Sequence, residues 1–174
     1  LELLIIEQEA RVNDLLAEEI AILQADFVRS MNSESNIGNW ICSSIREYLE
    51  ADVCIWNSGG IRKDMLGGSF TLRDVWEIVP FGNELLIGEF SGSQILNFFT
   101  IEMNNHEFMQ YDGLRMNRDR DGILQFITIN GQKLISDKKY KFIISDFVWG
   151  RIADLDTFVS SGGQVTNSGL LDRD

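Results

Sequence analysis

The chain has 174 residues, enough for one domain with its own hydrophobic core, and its net charge at pH 7 is −12. That acidity argues against a nucleic-acid polymer as the partner, because binding to a phosphate backbone needs a basic surface. It is compatible with a small phosphorylated or nucleoside ligand held by one or two arginines. The apolar runs are too short for a membrane-spanning helix, so none is predicted.

The sequence begins at Leu1, without a Met or a signal-like segment, and we interpret it as a piece of a longer chain. Apolar residues recur at three- and four-residue spacing from Glu7 to Leu23, which predicts a helix. We expect residues 1–24 to be a connecting helix from an upstream domain. Residues 25–174 are expected to form one domain, and the sequence leaves the compartment open.

The next part of the chain alternates helices and strands. Asn36–Leu49 has a single apolar stripe, which predicts a helix. Ala51–Trp56 is a short apolar run, typical of a strand buried on both faces, and a Gly-Gly turn follows it. Thr71 with Asp74 forms a capping box for a short helix, and Pro80 ends that helix.

The second half is predicted to be richer in strands. Glu84–Phe90 is predicted as a strand, and Ser91 with Gln94 forms another capping box, which opens a helix over Gly92–Met103. The remaining strand and hairpin predictions are Gly113–Met116, Ile123–Ile129, a turn at Asn130-Gly131, Lys133–Ile135 and Lys141–Ser145. The tail after Ser160 is predicted to be loosely held. The predicted fold class is therefore α+β, a single domain with a mixed β-sheet packed by helices.

The stretch Asn57-Ser58-Gly59-Gly60-Ile61-Arg62 directly follows the predicted buried strand. Two adjacent glycines let the backbone approach a ligand closely, but they also fit a plain tight turn. No Gly-Lys-Ser/Thr follows, so the stretch is not a P-loop, and the third glycine of a dinucleotide fingerprint is absent. By itself, the stretch leaves a structural turn and a ligand-binding turn both open.

Several other features have simpler explanations than chemistry. Cys42 and Cys54 lie among apolar residues and are predicted to be free, buried thiols, with a disulfide left open. His106 is the single histidine, and its polar surroundings predict a surface position. Residues 117–122 have the oxygen spacing of a calcium loop, but its twelfth position is Thr128, so a surface turn is predicted.

Phe81 and Phe147 each follow an apolar run and precede a loop. Core packing is the usual role of such rings. An aromatic ring at the end of an element, beside a glycine loop, can instead stack on a planar ligand. The sequence pattern leaves both roles open.

Several short motifs follow one another in a definite order. They are Glu34-Ser35-Asn36-Ile37-Gly38-Asn39, Asn57-Ser58-Gly59-Gly60-Ile61-Arg62, Thr71-Leu72-Arg73-Asp74-Val75, Pro80-Phe81-Gly82-Asn83, Ser91-Gly92, Asn130-Gly131 with Tyr140, and Asp146-Phe147. In this order and spacing the chain resembles the C-terminal domain of the 5′-nucleotidase family, which includes bacterial UDP-sugar hydrolases and surface ecto-5′-nucleotidases. Each motif alone is weak, but the series is specific and covers roughly residues 20–160.

The resemblance implies a two-domain phosphohydrolase. Its N-terminal metallophosphoesterase domain would carry two divalent metal ions, their ligands and a catalytic histidine, which a chain with one histidine cannot supply. This chain is therefore expected to have no catalytic residue, metal site or cofactor, and to be inactive alone. Its expected partners are its own N-terminal catalytic domain and a small nucleotide or nucleoside. Family members are mostly periplasmic, secreted or surface-bound.

The resemblance also implies that this domain binds the nucleoside part of a nucleotide. The base would stack between two aromatic rings, and an amide and a guanidinium would contact base, ribose or phosphate groups beside the glycine turn. The expected substrate-binding residues are Asn57, Gly59, Gly60, Arg62, Phe81, Phe147 and Asp154. Asp156 is the alternative to Asp154 as the ribose contact.

Three departures from the family pattern bear on function. Residues 31–33 hold no arginine where many members have one for the phosphate, and only Arg29 lies nearby. Asp146 stands where an asparagine is usual, and residues 148–154 replace a Gly-Gly-Asp-Gly loop. These departures favour an altered specificity. The alternative hypothesis is a non-enzymatic nucleoside-binding or protein-interaction module derived from this family.

Overall fold

A computed structural model describes residues 2–102, 108–151 and 162–174 of the chain. The helices of these parts are α1 (Glu2–Leu16), α2 (Asn36–Tyr48), α3 (Leu72–Ile78), α4 (Gly92–Glu102) and α5 (Asp146–Trp149). The strands are β1 (Glu19–Leu23), β2 (Val53–Asn57), β3 (Gly68–Thr71), β4 (Glu84–Ser91), β5 (Met109–Asp112), β6 (Leu114–Arg118), β7 (Leu124–Ile129), β8 (Gln132–Lys133), β9 (Lys139–Ser145) and β10 (Val165–Leu171). A short 3-10 turn, Ser58–Gly60, directly follows β2.

A five-stranded mixed sheet in the order β10-β4-β9-β2-β5 forms the centre of the fold. β2 and β9 are parallel, whereas the other neighbouring strands of this sheet are antiparallel. Two smaller sheets accompany it, one of β1 and β3 and one of β6, β7 and β8. This arrangement confirms the predicted α+β class with a mixed sheet packed by helices.

The central sheet is covered on both faces. Along β2, Val53 and Ile55 belong to a core cluster with α4 and the β6–β7–β8 sheet, whereas Cys54 and Trp56 belong to a second cluster with α2 and α3. This alternation follows from the two-residue period of a strand. Every residue of β2 is buried, which confirms the prediction of a strand covered on both faces.

The N-termini of α2 and α3 and the hairpin between β7 and β8 have the structures that their local sequence motifs predict. The Ser35 side chain accepts a hydrogen bond from a backbone N–H in the first turn of α2 and so caps that helix. Thr71 and Asp74 form the predicted capping box of α3. In the hairpin between β7 and β8, Asn130 and Gly131 have φ values of 51° and 74°, as a two-residue turn of this kind requires.

Two further predictions are confirmed. Cys42 and Cys54 are both buried and free, and burial together with contact with Cys54 raises the pKa of the Cys42 thiol well above its usual value. The Cys42 thiol therefore stays protonated and has little nucleophilic character. Of the segment 117–122, Asn117 and Arg118 end β6, and the exposed turn to β7 begins at Asp119, whose carboxylate accepts hydrogen bonds from the backbone N–H groups of Asp121 and Ile123.

Both ends of the chain differ from the sequence prediction. The helix expected over Glu7–Leu23 spans Glu2–Leu16, and β1 follows it and pairs with β3. The tail expected to be loose contains β10, which pairs with β4. β1 and β10, like the unpredicted strands β3 and β5, depend on partners far away along the chain. Local patterns do not reveal such strands, because strand preference depends strongly on the neighbouring strand.

A buried glutamine joins three separate segments. Gln110 lies on β5, and its Oε1 accepts hydrogen bonds from the backbone N–H and the hydroxyl of Ser35, at 3.0 and 3.1 Å. Its Nε2 donates to the Ser58 hydroxyl at 2.7 Å and to the Ser33 carbonyl at 3.0 Å. An added Cβ at Gly38 would lie 2.2 Å from Oε1, so α2 can approach Gln110 only with a glycine there. The loop before α2 and the turn after β2 are thus fastened to each other through β5.

We expect Gln110→Leu to lower the free energy of unfolding by about 2–4 kcal/mol, because it leaves several buried polar groups without partners. Urea unfolding measures the change. Gln125→Leu is the matched control, because Gln125 is exposed, and it should cost less than about 0.5 kcal/mol. Equal losses in the two variants would show that the Gln110 network contributes no special stability.

Candidate functional site

Three strand ends meet at one edge of the central sheet. Cys54 of β2 lies opposite Ile143 of the parallel strand β9, and both strands end within three residues of that pair. β4 runs in the other direction and begins at the same edge, because Leu85 pairs with Ser145. The loops that follow β2 and β9 therefore lie beside the loop that precedes β4.

The loop after β2 is the glycine turn singled out in the sequence. Ser58 fixes its start, because its backbone N–H and its hydroxyl both donate to the Phe108 carbonyl, at 3.2 and 2.6 Å. An added Cβ at Gly60 would lie 2.8 Å from Trp56 Nε1 and 2.9 Å from Asn57 Oδ1. Asn57 itself is buried at the end of β2. Packing alone therefore requires a glycine at position 60.

Arg62 connects the glycine turn to the loop before β4. Its Nη1 donates to the Gly59 carbonyl at 3.2 Å. Its backbone N–H donates to the carbonyl of Ile78, the last residue of α3, at 2.8 Å. The guanidinium carbon of Arg62 lies 5.8 Å from the centre of the Phe81 ring. The structure thus brings Gly59, Arg62 and Phe81 together.

The rings of Phe81 and Phe147 are exposed to an extent that is unusual for phenylalanine, 58% and 38%. Phe147 follows the end of β9 and so reaches the same edge of the sheet as the loop that carries Phe81. The guanidinium carbon of Arg151 lies 4.3 Å from the centre of the Phe147 ring. Each ring therefore lies beside an arginine of its own.

A third arginine reaches the glycine turn. Nη1 of Arg29 donates to the carbonyl of Ile61 at 3.4 Å, and Nε of Arg29 lies 3.8 Å from the Asp64 carboxylate. The sequence indicates only that Arg29 precedes the position where many family members have an arginine. The structure places it against the same turn as Arg62, with Asp64 as its counter-ion.

Three residues singled out in the sequence lie in parts of the chain that the structure does not describe. Asp154, its alternative Asp156 and the single histidine, His106, are outside the described residues. Within the described ranges, no group of three or more His, Cys, Asp or Glu side chains is arranged to hold a metal ion. None of the helices in those ranges combines the length and the apolar character needed to cross a membrane.

Sequence reasoning missed two residues at this edge, Asp172 and Arg173, which follow β10. Oδ2 of Asp172 accepts hydrogen bonds from the backbone and side-chain N–H groups of Asn83, and the Arg173 guanidinium carbon lies 4.1 Å from the centre of the Trp76 ring. Burial raises the pKa of the Asp172 carboxyl, although its hydrogen bonds with Asn83 act in the opposite direction. No local pattern marks either residue, because each acts on a segment far away along the chain.

An apolar cavity of about 550 Å³ lies beside this edge, between α2, α3 and the end of β10, and its lining includes Leu85, Asp172 and Arg173. Trp40, Val75 and Leu170 are among its lining residues, and Phe81 and Phe147 are not. Arg29, Arg62 and Arg151 are also outside its lining.

The sequence matches a family model described as 5′-nucleotidase, C-terminal domain, over residues 16–157. Among curated relatives, the 5′-nucleotidase of Vibrio parahaemolyticus serotype O3:K6 is 26% identical over 143 residues, which cover 80% of this chain and 25% of that protein. Protein UshA of Escherichia coli K12 is 21% identical over 143 residues, which cover 80% of this chain and 26% of that protein. The chain thus spans about a quarter of the length of these relatives.

Solved structures show the same fold. The 5′-nucleotidase precursor of Thermus thermophilus superposes with a TM-score of 0.80 at 22% identity, over 97% of this chain and 37% of that chain. The NAD nucleotidase of Haemophilus influenzae superposes with a TM-score of 0.78 at 20% identity, over 99% of this chain and 36% of that chain. Because the family model matches most of the sequence and the fold agrees, this chain belongs to the 5′-nucleotidase C-terminal domain family.

Proposed function

We propose that this chain is the substrate-recognition domain of a metal-dependent 5′-nucleotidase-type phosphohydrolase and that it binds the nucleoside part of a nucleotide. One observation carries the proposal. At one edge of the central sheet, the exposed ring of Phe81 lies beside Arg62, and the exposed ring of Phe147 lies beside Arg151. A nucleotide offers a planar base and an anionic phosphate, which rings and guanidinium groups bind respectively.

The two rings supply the stacking surface for the base. Stacking of a base on an aromatic side chain contributes about 1–3 kcal/mol to binding. Both Phe81 and Phe147 are exposed, so a base reaches them without breaking core packing. Arg151 lies over Phe147, so a base stacked on that ring would take its opposite face.

Arg62 is the proposed anion ligand, because a planar guanidinium can hold two acceptor oxygens at once. Its hydrogen bond to the Gly59 carbonyl holds it beside the glycine turn. Gly59 and Gly60 would bring the main chain close to the ligand, and Asn57 would contact the base or the ribose. Asp154 is the proposed ribose contact.

The chemistry is assigned to a part of the protein beyond this chain. The curated relatives are about four times as long as the segment matched here. We infer that an upstream domain supplies two divalent metal ions and a catalytic histidine, and that residues 1–24 connect to it. Rotation of this domain would then carry the bound nucleotide to the metal ions.

A non-enzymatic nucleoside-binding or protein-interaction module is the second candidate, and one observation favours it. Arg29 is the cation nearest to the position where many family members carry a phosphate-binding arginine, and Asp64 already balances its charge. A phosphate would have to compete with this carboxylate for the guanidinium. Phosphate binding would then be weak even where the nucleoside still binds.

Titration of the 174-residue chain with adenosine, AMP and UDP-glucose tests the site. We expect saturable binding in the millimolar range, because the contacts made by an upstream domain are absent. Phe81→Ala should raise the Kd for adenosine about tenfold, which corresponds to the loss of about 1.4 kcal/mol of stacking. Isothermal titration calorimetry measures both quantities.

Phe126→Ala is the matched control for the ring. Phe126 also lies beside a cation, with Lys133 Nζ 4.4 Å from its ring centre, but it belongs to the β6–β7–β8 sheet. This variant should bind adenosine like the unaltered chain. The nucleoside site would be refuted by the absence of saturable binding, or by equal losses in the Phe81 and Phe126 variants.

Arg62→Ala tests the anion contact. It should raise the Kd for AMP about tenfold and the Kd for adenosine by less than about threefold, because the guanidinium interacts mainly with the phosphate. Arg115→Ala is the control, since Arg115 is exposed on β6. Equal losses for AMP and adenosine would mean that Arg62 does not contact the phosphate.

A hydrolysis assay separates the enzyme from the binding module. The longer protein, with its upstream domain, should release phosphate from AMP, and a chelator should abolish this activity because the metal ions carry out the chemistry. The 174-residue chain alone should release none. A longer protein that binds AMP without hydrolysing it would favour the binding module.

A further inference from the structure

The loop 80–83 carries Phe81, and the residues that follow β10 lie directly against it. We propose that Asp172 and Arg173 are positioning residues that hold this loop, so that the Phe81 ring is already in place when a nucleoside binds. The inference rests on the proposed nucleoside site. Both residues lie beyond residue 157, where the match to the family model ends, so the family match does not account for them.

Asp172 holds the far end of the loop through Asn83. Its backbone N–H donates to the Asn83 carbonyl at 2.9 Å. In return, the backbone and side-chain N–H groups of Asn83 donate to Oδ2 of Asp172, at 3.1 and 3.0 Å. Oδ1 of Asp172 is buried and has no hydrogen-bond partner among the described residues. The contact with Asn83 is therefore the main compensation for burying this carboxyl group.

Arg173 holds the near end and the middle of the loop. Its Nη1 donates to the Pro80 carbonyl at 3.5 Å, and its guanidinium lies over the ring of Trp76 on α3. Gly82 has a positive φ of 64°, and an added Cβ there would lie 2.8 Å from Nη1 of Arg173. A glycine at position 82 thus serves both the backbone conformation and the close approach of the guanidinium.

The backbone has to be fixed because the ring itself is not packed into the core. Phe81 is 58% exposed, so core packing does little to fix the direction of the ring. Instead, the residues on both sides of it are held, Pro80 by Arg173 and Asn83 by Asp172. A loop released from these contacts would have to be ordered during binding, and the cost of that ordering lowers affinity.

The test compares the adenosine affinity of the 174-residue chain with that of single variants, by isothermal titration calorimetry. Asp172→Ala and Arg173→Ala should each raise the Kd about fivefold, because part of the binding free energy is then used to order the loop. Asp121→Ala and Arg120→Ala make the same changes in the exposed turn between β6 and β7. These controls should leave the Kd within about twofold of the unaltered chain.

A conservative variant separates positioning from a general loss of structure. Asp172→Asn keeps an oxygen that accepts the N–H groups of Asn83, so it should restore the Kd to within about twofold. Thermal unfolding shows whether each variant is folded. If Asp172→Ala does not fold, Arg173→Ala decides the question, because it leaves the contacts between Asp172 and Asn83 in place.

The decisive measurement is a double-mutant cycle with Phe81→Ala. When the ring is absent, adding Asp172→Ala or Arg173→Ala should change the Kd by less than about twofold, because the two residues act through the ring. A defect unrelated to the ring would give the full fivefold change in both backgrounds.

The outcomes distinguish the two proposals. Additive effects in the cycle, or an unchanged Kd in the folded single variants, would overturn the positioning role and leave the nucleoside site standing. If the unaltered chain shows no saturable adenosine binding, the proposed function fails, and the positioning role fails with it.

Discussion

The parallel pairing of β2 with β9, in the middle of a sheet covered on both faces, is the constraint on which the candidate site depends. All residues of β2 are buried, so their backbone groups have no access to water and must be paired by β9 and β5. This pairing fixes where β2 ends, and the parallel strand β9 ends at the same edge of the sheet. The glycine turn and Phe147 are therefore adjacent at one edge, although β3 to β9 separate them in the sequence.

Features with a local physical cause were predictable from the sequence. The capping box of Thr71 and Asp74 and the turn at Asn130 work within a few residues, so their residue types reveal them directly. β2 was predictable because a strand buried on both faces is mostly apolar, and only Asn57 at its end is polar. β1 and β10 were not, because each is a strand only by virtue of its partner, β3 or β4.

The residues of the candidate site likewise include some to which the sequence pointed and some to which it did not. The resemblance to the family, which the order of the motifs supports, implied Arg62, Phe81 and Phe147 as site residues. Gln110 and Asp172 escaped notice, because neither type of residue is conspicuous in a sequence and each acts across the fold, on Ser35 and Ser58 or on Asn83. Residues that support the site through contacts distant in sequence are thus identified only from the folded structure.

β10 is an edge strand of the central sheet, and its pairing with β4 affects how readily the domain can self-associate. Without it, β4 would present unpaired backbone groups along a strand that carries buried apolar residues such as Phe90, and such an edge recruits strands from other molecules. β10 is itself a poor surface for strand addition, because its pairing is irregular between Asn167 and Leu171 and Gly169 has a positive φ of 80°. We therefore expect β10, which leads to the residues against the loop 80–83, also to limit strand addition at β4.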